Sequence, residues 1–217
     1  VQEHADTDHA DTAPMEPQPM DDWAIAAQML HVPREGLSDY IDERQVIMEA
    51  LVAARSRSNA QWGMSAAVTD ALLALARLQY RHGFGPEGLS ILQGLDGANL
   101  TDEQTLRRAT MELALALIEP RRDIVMTDRA RGLLDSPQDA WPDQRMFQAL
   151  DAVKRQNFRQ ARDLLPDARD RLSLLPEGYQ EAVLPGLLEA AIATEQWRIA
   201  RDFALEFRKH QVLTDSG

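Results

Sequence analysis

A chain of 217 residues with no cysteine, 44% hydrophobic and 27% charged, has apolar material for one large domain or two small ones. The absence of cysteine excludes disulfide frameworks, zinc ribbons and thiol catalysis, and no apolar run nears the 18 residues that signal a transmembrane helix. The net charge is −12. Residues 1–22 hold seven acids and no Lys or Arg, leaving 28 acids against 23 bases in the rest. No segment concentrates the positive field that phosphates require, so nucleic acid is excluded as a partner.

Residues 1–22 read as a disordered acidic arm, rich in Ala, Asp, Thr, Pro and Met, with little to bury. Its near-repeat HADTD/HADTA at 4–13 is read as a solvated linker rather than a metal site. Residues 23–217 form the second unit, which is helical throughout: apolar residues recur at spacings of three and four, with no sustained period-2 run. Val46, Met48, Leu51 and Val52 mark a helix over 39–55, with Ser38 as its N-cap. Val68, Leu72, Leu75 and Leu78 mark a second over 66–82, and a short third starts at Pro86, since proline suits the first helical turn. Thr101 and Gln104 have capping-box spacing and open a fourth that stops before Pro120. A fifth covers 124–135. A sixth begins at Pro142, a seventh spans 158–173, an eighth follows Pro176, and a ninth spans 197–210. Pro166 and Pro185 are expected to kink or break the seventh and eighth. The connections are short, so neighbouring helices should be antiparallel hairpins.

An internal repeat runs through these hairpins. In the second helix of four successive pairs a small residue, Gly88, Ala130, Ala161 or Ala200, is followed at +3 and +4 by mostly larger apolar ones. A small residue at a fixed place lets another helix approach closely, and stacked hairpins bury that face continuously. LLALARLQYRHGFGPEGLSIL at 72–92, with QNFRQARDLL at 156–165 and EQWRIARDFA at 195–204, resembles the tetratricopeptide repeat (TPR) family. In 72–92 Leu75 and Ala76 stand at the large–small pair of the first helix, Gly83 is near the turn, and Gly88 and Leu92 lie in the second helix. The likeness extends over about 66–210, although the tryptophan usual early in the first helix is absent from every unit.

The resemblance implies an all-α, TPR-like superhelix of stacked hairpins. The function it implies is a protein–protein interaction scaffold, binding a peptide or partner protein in the groove of the array. Carried over by counting back from each small residue, the groove positions are Asp70, Leu73, Arg77, Tyr80 and Arg81, then Met146, Leu150 and Lys154, then Glu189 and Ile192. Arg77, Leu150 and Glu189 stand where the family's carboxylate-clamp members carry an Asn, so that clamp is not expected. Replacing Arg77 with Ala should then weaken partner binding and leave stability nearly intact. The alternative is a structural segment of a larger α-solenoid with no ligand of its own. The polar residues of the last helix, Arg198, Arg201, Glu206, Arg208 and Lys209, fit an end better than a middle.

Chemistry is sparse by comparison. Gly83–Gly88 is a literal G-x-G-x-x-G, but it follows a helix, and Pro86 removes an N–H that would hold phosphate, so a hairpin turn accounts for the glycines. The five histidines form no i, i+4 pair, and no nucleophile elbow, Walker loop or H-E-x-x-H occurs. Met146 and Trp62 are read as core rather than as a sticky groove. No cofactor, no metal and no enzymatic activity are expected. The absence of cysteine, the acidic arm and a start at Val1 rather than Met point to a bacterial periplasmic or otherwise exported protein, the alternative being a cytoplasmic one. Val1 also points to a processed product or a fragment of a longer chain.

Overall fold

The structure, a computed structural model, describes residues 22–31, 39–57, 64–119, 121, 124–135 and 141–214. Among these there are ten α-helices, one short 3-10 turn at Leu172–Leu174, and no strand. The protein is all-α. In chain order the helices are α1 (Asp22–Leu30), α2 (Tyr40–Arg57), α3 (Ala66–Arg81), α4 (Gly85–Gln93), α5 (Asp102–Ile118), α6 (Asp128–Asp135), α7 (Gln144–Lys154), α8 (Phe158–Arg171), α9 (Glu177–Ala193) and α10 (Trp197–Thr214). The arm read over 1–22 lies outside the described residues except for Asp22, which opens α1. Ser38 lies outside them too. The residue that caps α2 is Asp39, whose Oδ1 accepts from Ile41 N–H at 3.1 Å.

Three hairpins, α3/α4, α7/α8 and α9/α10, are closed by the same turn. Gly83, Gln156 and Glu195 each take a left-handed φ, of 72°, 56° and 58°. The next amide in each case reaches back five residues, from Phe84 to Gln79 O, Asn157 to Ala152 O, and Gln196 to Ala191 O. This is the Schellman arrangement, in which the left-handed residue lets two amides satisfy carbonyls that the helix end would otherwise leave orphaned. Four residues after the cap stands the small residue of the repeat: Gly88, Ala161 and Ala200 donate to Phe84, Asn157 and Gln196 O. The Ala130 unit differs. There Thr127 donates its N–H and hydroxyl to the Glu112 carboxylate, both at 2.7 Å, which ties the chain to α5. The helix expected from 124 therefore starts only at Asp128. A Cβ in the left-handed region costs about 1 kcal/mol. Gln156→Gly and Glu195→Gly are accordingly expected to stabilise the protein by about 0.5–1 kcal/mol each, less the added freedom of the unfolded chain, which a urea midpoint reads directly.

Both internal prolines are accommodated without a break: α8 runs through Pro166 and α9 through Pro185. Pro166 has no N–H to give to Arg162 O, one turn back. Gln196, which caps α10, supplies the missing donor, its Nε2 standing 2.6 Å from that carbonyl.

The core is organised around α5. Every residue from Ala109 to Leu117 is buried, so the helix is covered on all sides, by α1, α3, α4, α6, α7 and α9. Its start is the expected capping box, with Thr101 and Gln104 exchanging bonds of 3.2 Å. Gly88 is small because Leu115 lies against it, leaving a Cβ only 2.6 Å from that side chain. Gly85 faces the C-terminal end of α5 in the same way. Of the glycines in G-x-G-x-x-G, then, only Gly83 serves the turn, and the other two let α4 approach α5. The hairpins do not form an open row in which each unit touches only its neighbours. The turn after α3 lies on the start of α9, where a Cβ on Gly83 would fall 2.4 Å from Gly178 O, so first and last hairpins meet around α5.

Candidate functional site

One face of α3 is built to hold the end of a helix. The last four carbonyls of a helix have no partner within it. For α1, whose final internal bond is from His31 N to Ala27 O, these belong to Gln28, Met29, Leu30 and His31. Arg77 Nε donates to Met29 O at 3.0 Å, and its Nη2 donates to Gln28 O at 3.0 Å and to His31 O at 3.2 Å. Tyr80 Oη donates to Leu30 O at 3.1 Å. Two side chains thus satisfy all four carbonyls, and the guanidinium charge sits at the negative end of the helix dipole. Burial, reinforced by the like charge of Arg81, lowers the Arg77 pKa, though an arginine so placed still carries its charge.

Below this polar clamp Ile25, Ala26, Met29 and Leu30 are buried in the main core. A second tie lies beyond the helix end. His31 Nε2 donates to Asp143 Oδ2 at 2.8 Å, and Arg171 Nε donates to Asp143 Oδ1. The Asp143 side chain is only 2% exposed, and it turns away from capping α7 in order to make these bonds. A nine-residue helix is marginal alone in water, so α1 exists because this seat completes it.

The seat also contains a tyrosine pair. Tyr80 and Tyr179 are fully buried, with ring centres 4.8 Å apart, and Tyr179 Oη donates to Ala114 O at 3.0 Å. Burial pushes both phenols above their ordinary range. In the unfolded chain they lose their protons near pH 10. Each therefore contributes stability in full below that pH and loses it as pH rises further. Absorbance at 295 nm is expected to show these two ionising only together with the loss of helical ellipticity on the alkaline side.

The ten positions derived by resemblance fall into distinct environments. Leu73, Tyr80, Met146 and Leu150 are buried. Arg77 and Tyr80 hold α1. Asp70 accepts from Gln104 of α5 at 3.0 Å, and Arg81 pairs with Glu43 of α2. Lys154 donates to Ala116 O and, at 2.6 Å, to Glu119 O, at the C-terminal end of α5. Glu189 and Ile192 line an open and almost wholly apolar hollow of about 470 Å³ between α9 and α10, which Pro185, Leu188, Ala193 and Phe207 complete. The expectation that Arg77 is dispensable for stability is corrected by its three bonds to α1. Trp62 lies outside the described residues, and Met146 is core.

Sequence reasoning missed α1 as an element, although Ile25, Ala26, Met29 and Leu30 repeat at helical spacing. It also missed Asp143 and Arg171. Among the described residues no cluster of His, Asp or Glu suits a metal ion, and no helix is long and apolar enough to cross a membrane. No protein-family model, curated protein or solved structure matches this chain.

Proposed function

We propose that this chain is a protein-interaction module and not an enzyme. In this reading it is a TPR-like set of helical hairpins, wrapped around α5, whose first helices receive helical segments of a peptide or partner protein. The observation that carries the reading is the seat on α3, where two side chains recognise the backbone end of a helix rather than its sequence. Groove positions inferred from the TPR resemblance, Arg77 and Tyr80, make those bonds. A carbonyl clamp is independent of the side chains of the helix it holds, which suits a surface that accepts segments. In this reading the module works in an exported compartment, where a chain without cysteine is indifferent to oxidation of thiols.

A photo-crosslinking residue at Ile192, in the free hollow, should capture a defined partner in the source cells, while the same residue at the exposed Asp170 of α8 should not. Equal or absent capture at both positions contradicts the reading. A second reading, a segment of a larger solenoid, draws support from α2, where Ile41, Val46 and Val52 are exposed. Such a face is what a middle repeat would present to its neighbour.

A further inference from the structure

We infer that the hollow on α9 and α10 is a second helix seat, opposite in polarity to the one that holds α1. Its occupant is an amphipathic helix of a partner protein, with a basic N-terminal turn lying at Glu189. The inference rests on the interaction-module reading and specifies its partner.

The argument is one of register. Because α3, α7 and α9 end in the same left-handed turn, residues at equal distance before that turn occupy corresponding places on their hairpins. Six positions before it stand Arg77, Leu150 and Glu189, three before it Tyr80, Val153 and Ile192, and ten before it Leu73, Met146 and Pro185. On α3 this face carries α1. On α7 Met146 and Leu150 are buried and Lys154 binds the end of α5. On α9 the same places are uncovered. Pro185, Glu189 and Ile192 line the hollow, and Ile192 is 48% exposed. The face of α3 receives the end of a helix of this chain, and that of α7 is closed within the fold, with Met146 and Leu150 buried and Val153 against Gly186 of α9; the corresponding places on α9 are left open.

The chemistry of the open face is inverted. The clamp on α3 presents donors, which match the orphan carbonyls and negative dipole of a helix C-terminus. The corresponding residue on α9 is a carboxylate, which accepts and carries negative charge. It has no hydrogen bond or ion pair among the described residues, and the surface around it is apolar. A helix N-terminus offers what it lacks: free N–H donors and the positive end of the dipole. A Lys or Arg in the first turn adds to the same attraction. α1 itself would be a poor guest there, since its first residue is Asp22.

Two labelled peptides of residues 22–31 test this against the full chain by fluorescence anisotropy. One carries Asp22→Lys with a free amino terminus, and the other is acetylated with Asp22 kept. The basic peptide should bind about three- to tenfold more tightly, the scale of a helix-dipole interaction, and Glu189→Gln should erase the difference. Because the protein has no cysteine, Ala193→Cys gives a unique trap. A cysteine in the first turn of the basic peptide should form a disulfide with it, and one in the last turn should not. Equal binding of the two peptides, or trapping through the last turn, overturns the polarity while leaving the module reading standing. Failure of both peptides to bind or to be trapped at Ala193→Cys overturns the open seat. If in addition position 192 captures nothing in cells, the module reading falls with it.

Discussion

Arg171→Met is expected to destabilise the protein by about 3–5 kcal/mol, the cost of leaving a buried carboxylate without its cation. Asp143 is almost fully inside, and its two oxygens are divided between Arg171 at the end of α8 and His31 just after α1. Losing the arginine leaves the half-exposed His31 as the one remaining partner of that carboxylate among the described residues. The double variant Arg171→Met with Asp143→Leu should be markedly more stable than Arg171→Met alone, because an apolar pair of similar volume removes the stranded charge. Urea melts of the two single variants and the double complete the cycle. A double variant no better than Arg171→Met would mean that the arginine acts through packing instead.

Gly178→Ala should destabilise by about 1–3 kcal/mol, although alanine favours a helix over glycine by about 1 kcal/mol. The new Cβ would stand 2.6 Å from His82 C and 2.8 Å from His82 Cα, both backbone atoms that cannot rotate away. The contact joins the first hairpin to the last, so the cost measures how firmly the array is closed around α5. Gly132→Ala in α6 is the control. Nothing lies within 4 Å of its Cβ position, so the propensity gain should appear undiminished and thermal stability should rise.

These two sites show where the sequence stops being informative. Local signals carried far. Thr101 and Gln104 announced the start of α5, Pro86 the start of α4, Gly88 the close approach to α5, and Ala161 and Ala200 buried places four residues after their caps. Each depends on residues a few positions apart, which fixed spacing reveals. What could not be read was which face meets which across the fold. Gly178 has nothing in its neighbourhood to announce His82, and Asp143 nothing to announce His31 or Arg171. α1, nine residues long, repeats its apolar spacing only once, at Ile25/Met29 and Ala26/Leu30, and was passed over. That omission made Arg77 look like an open groove residue, when it holds the end of that helix. At Pro166 the helix runs on unbroken, and the carbonyl left without its donor is met by Gln196, thirty positions on.

Native-state hydrogen exchange of the full chain, wild type against Arg77→Ala, tests most directly whether the face of α3 is a seat for a helix. Three hydrogen bonds from a charged donor end with that substitution, and bonds to charged groups contribute about 1.5–3 kcal/mol. The amides of α1 should therefore exchange at least tenfold faster, while those of α7, α8, α9 and α10 keep their protection. An α1 that exchanges at the same rate in both proteins, or that loosens only in step with the whole molecule, would show that the helix is an ordinary part of the core and that α3 receives nothing.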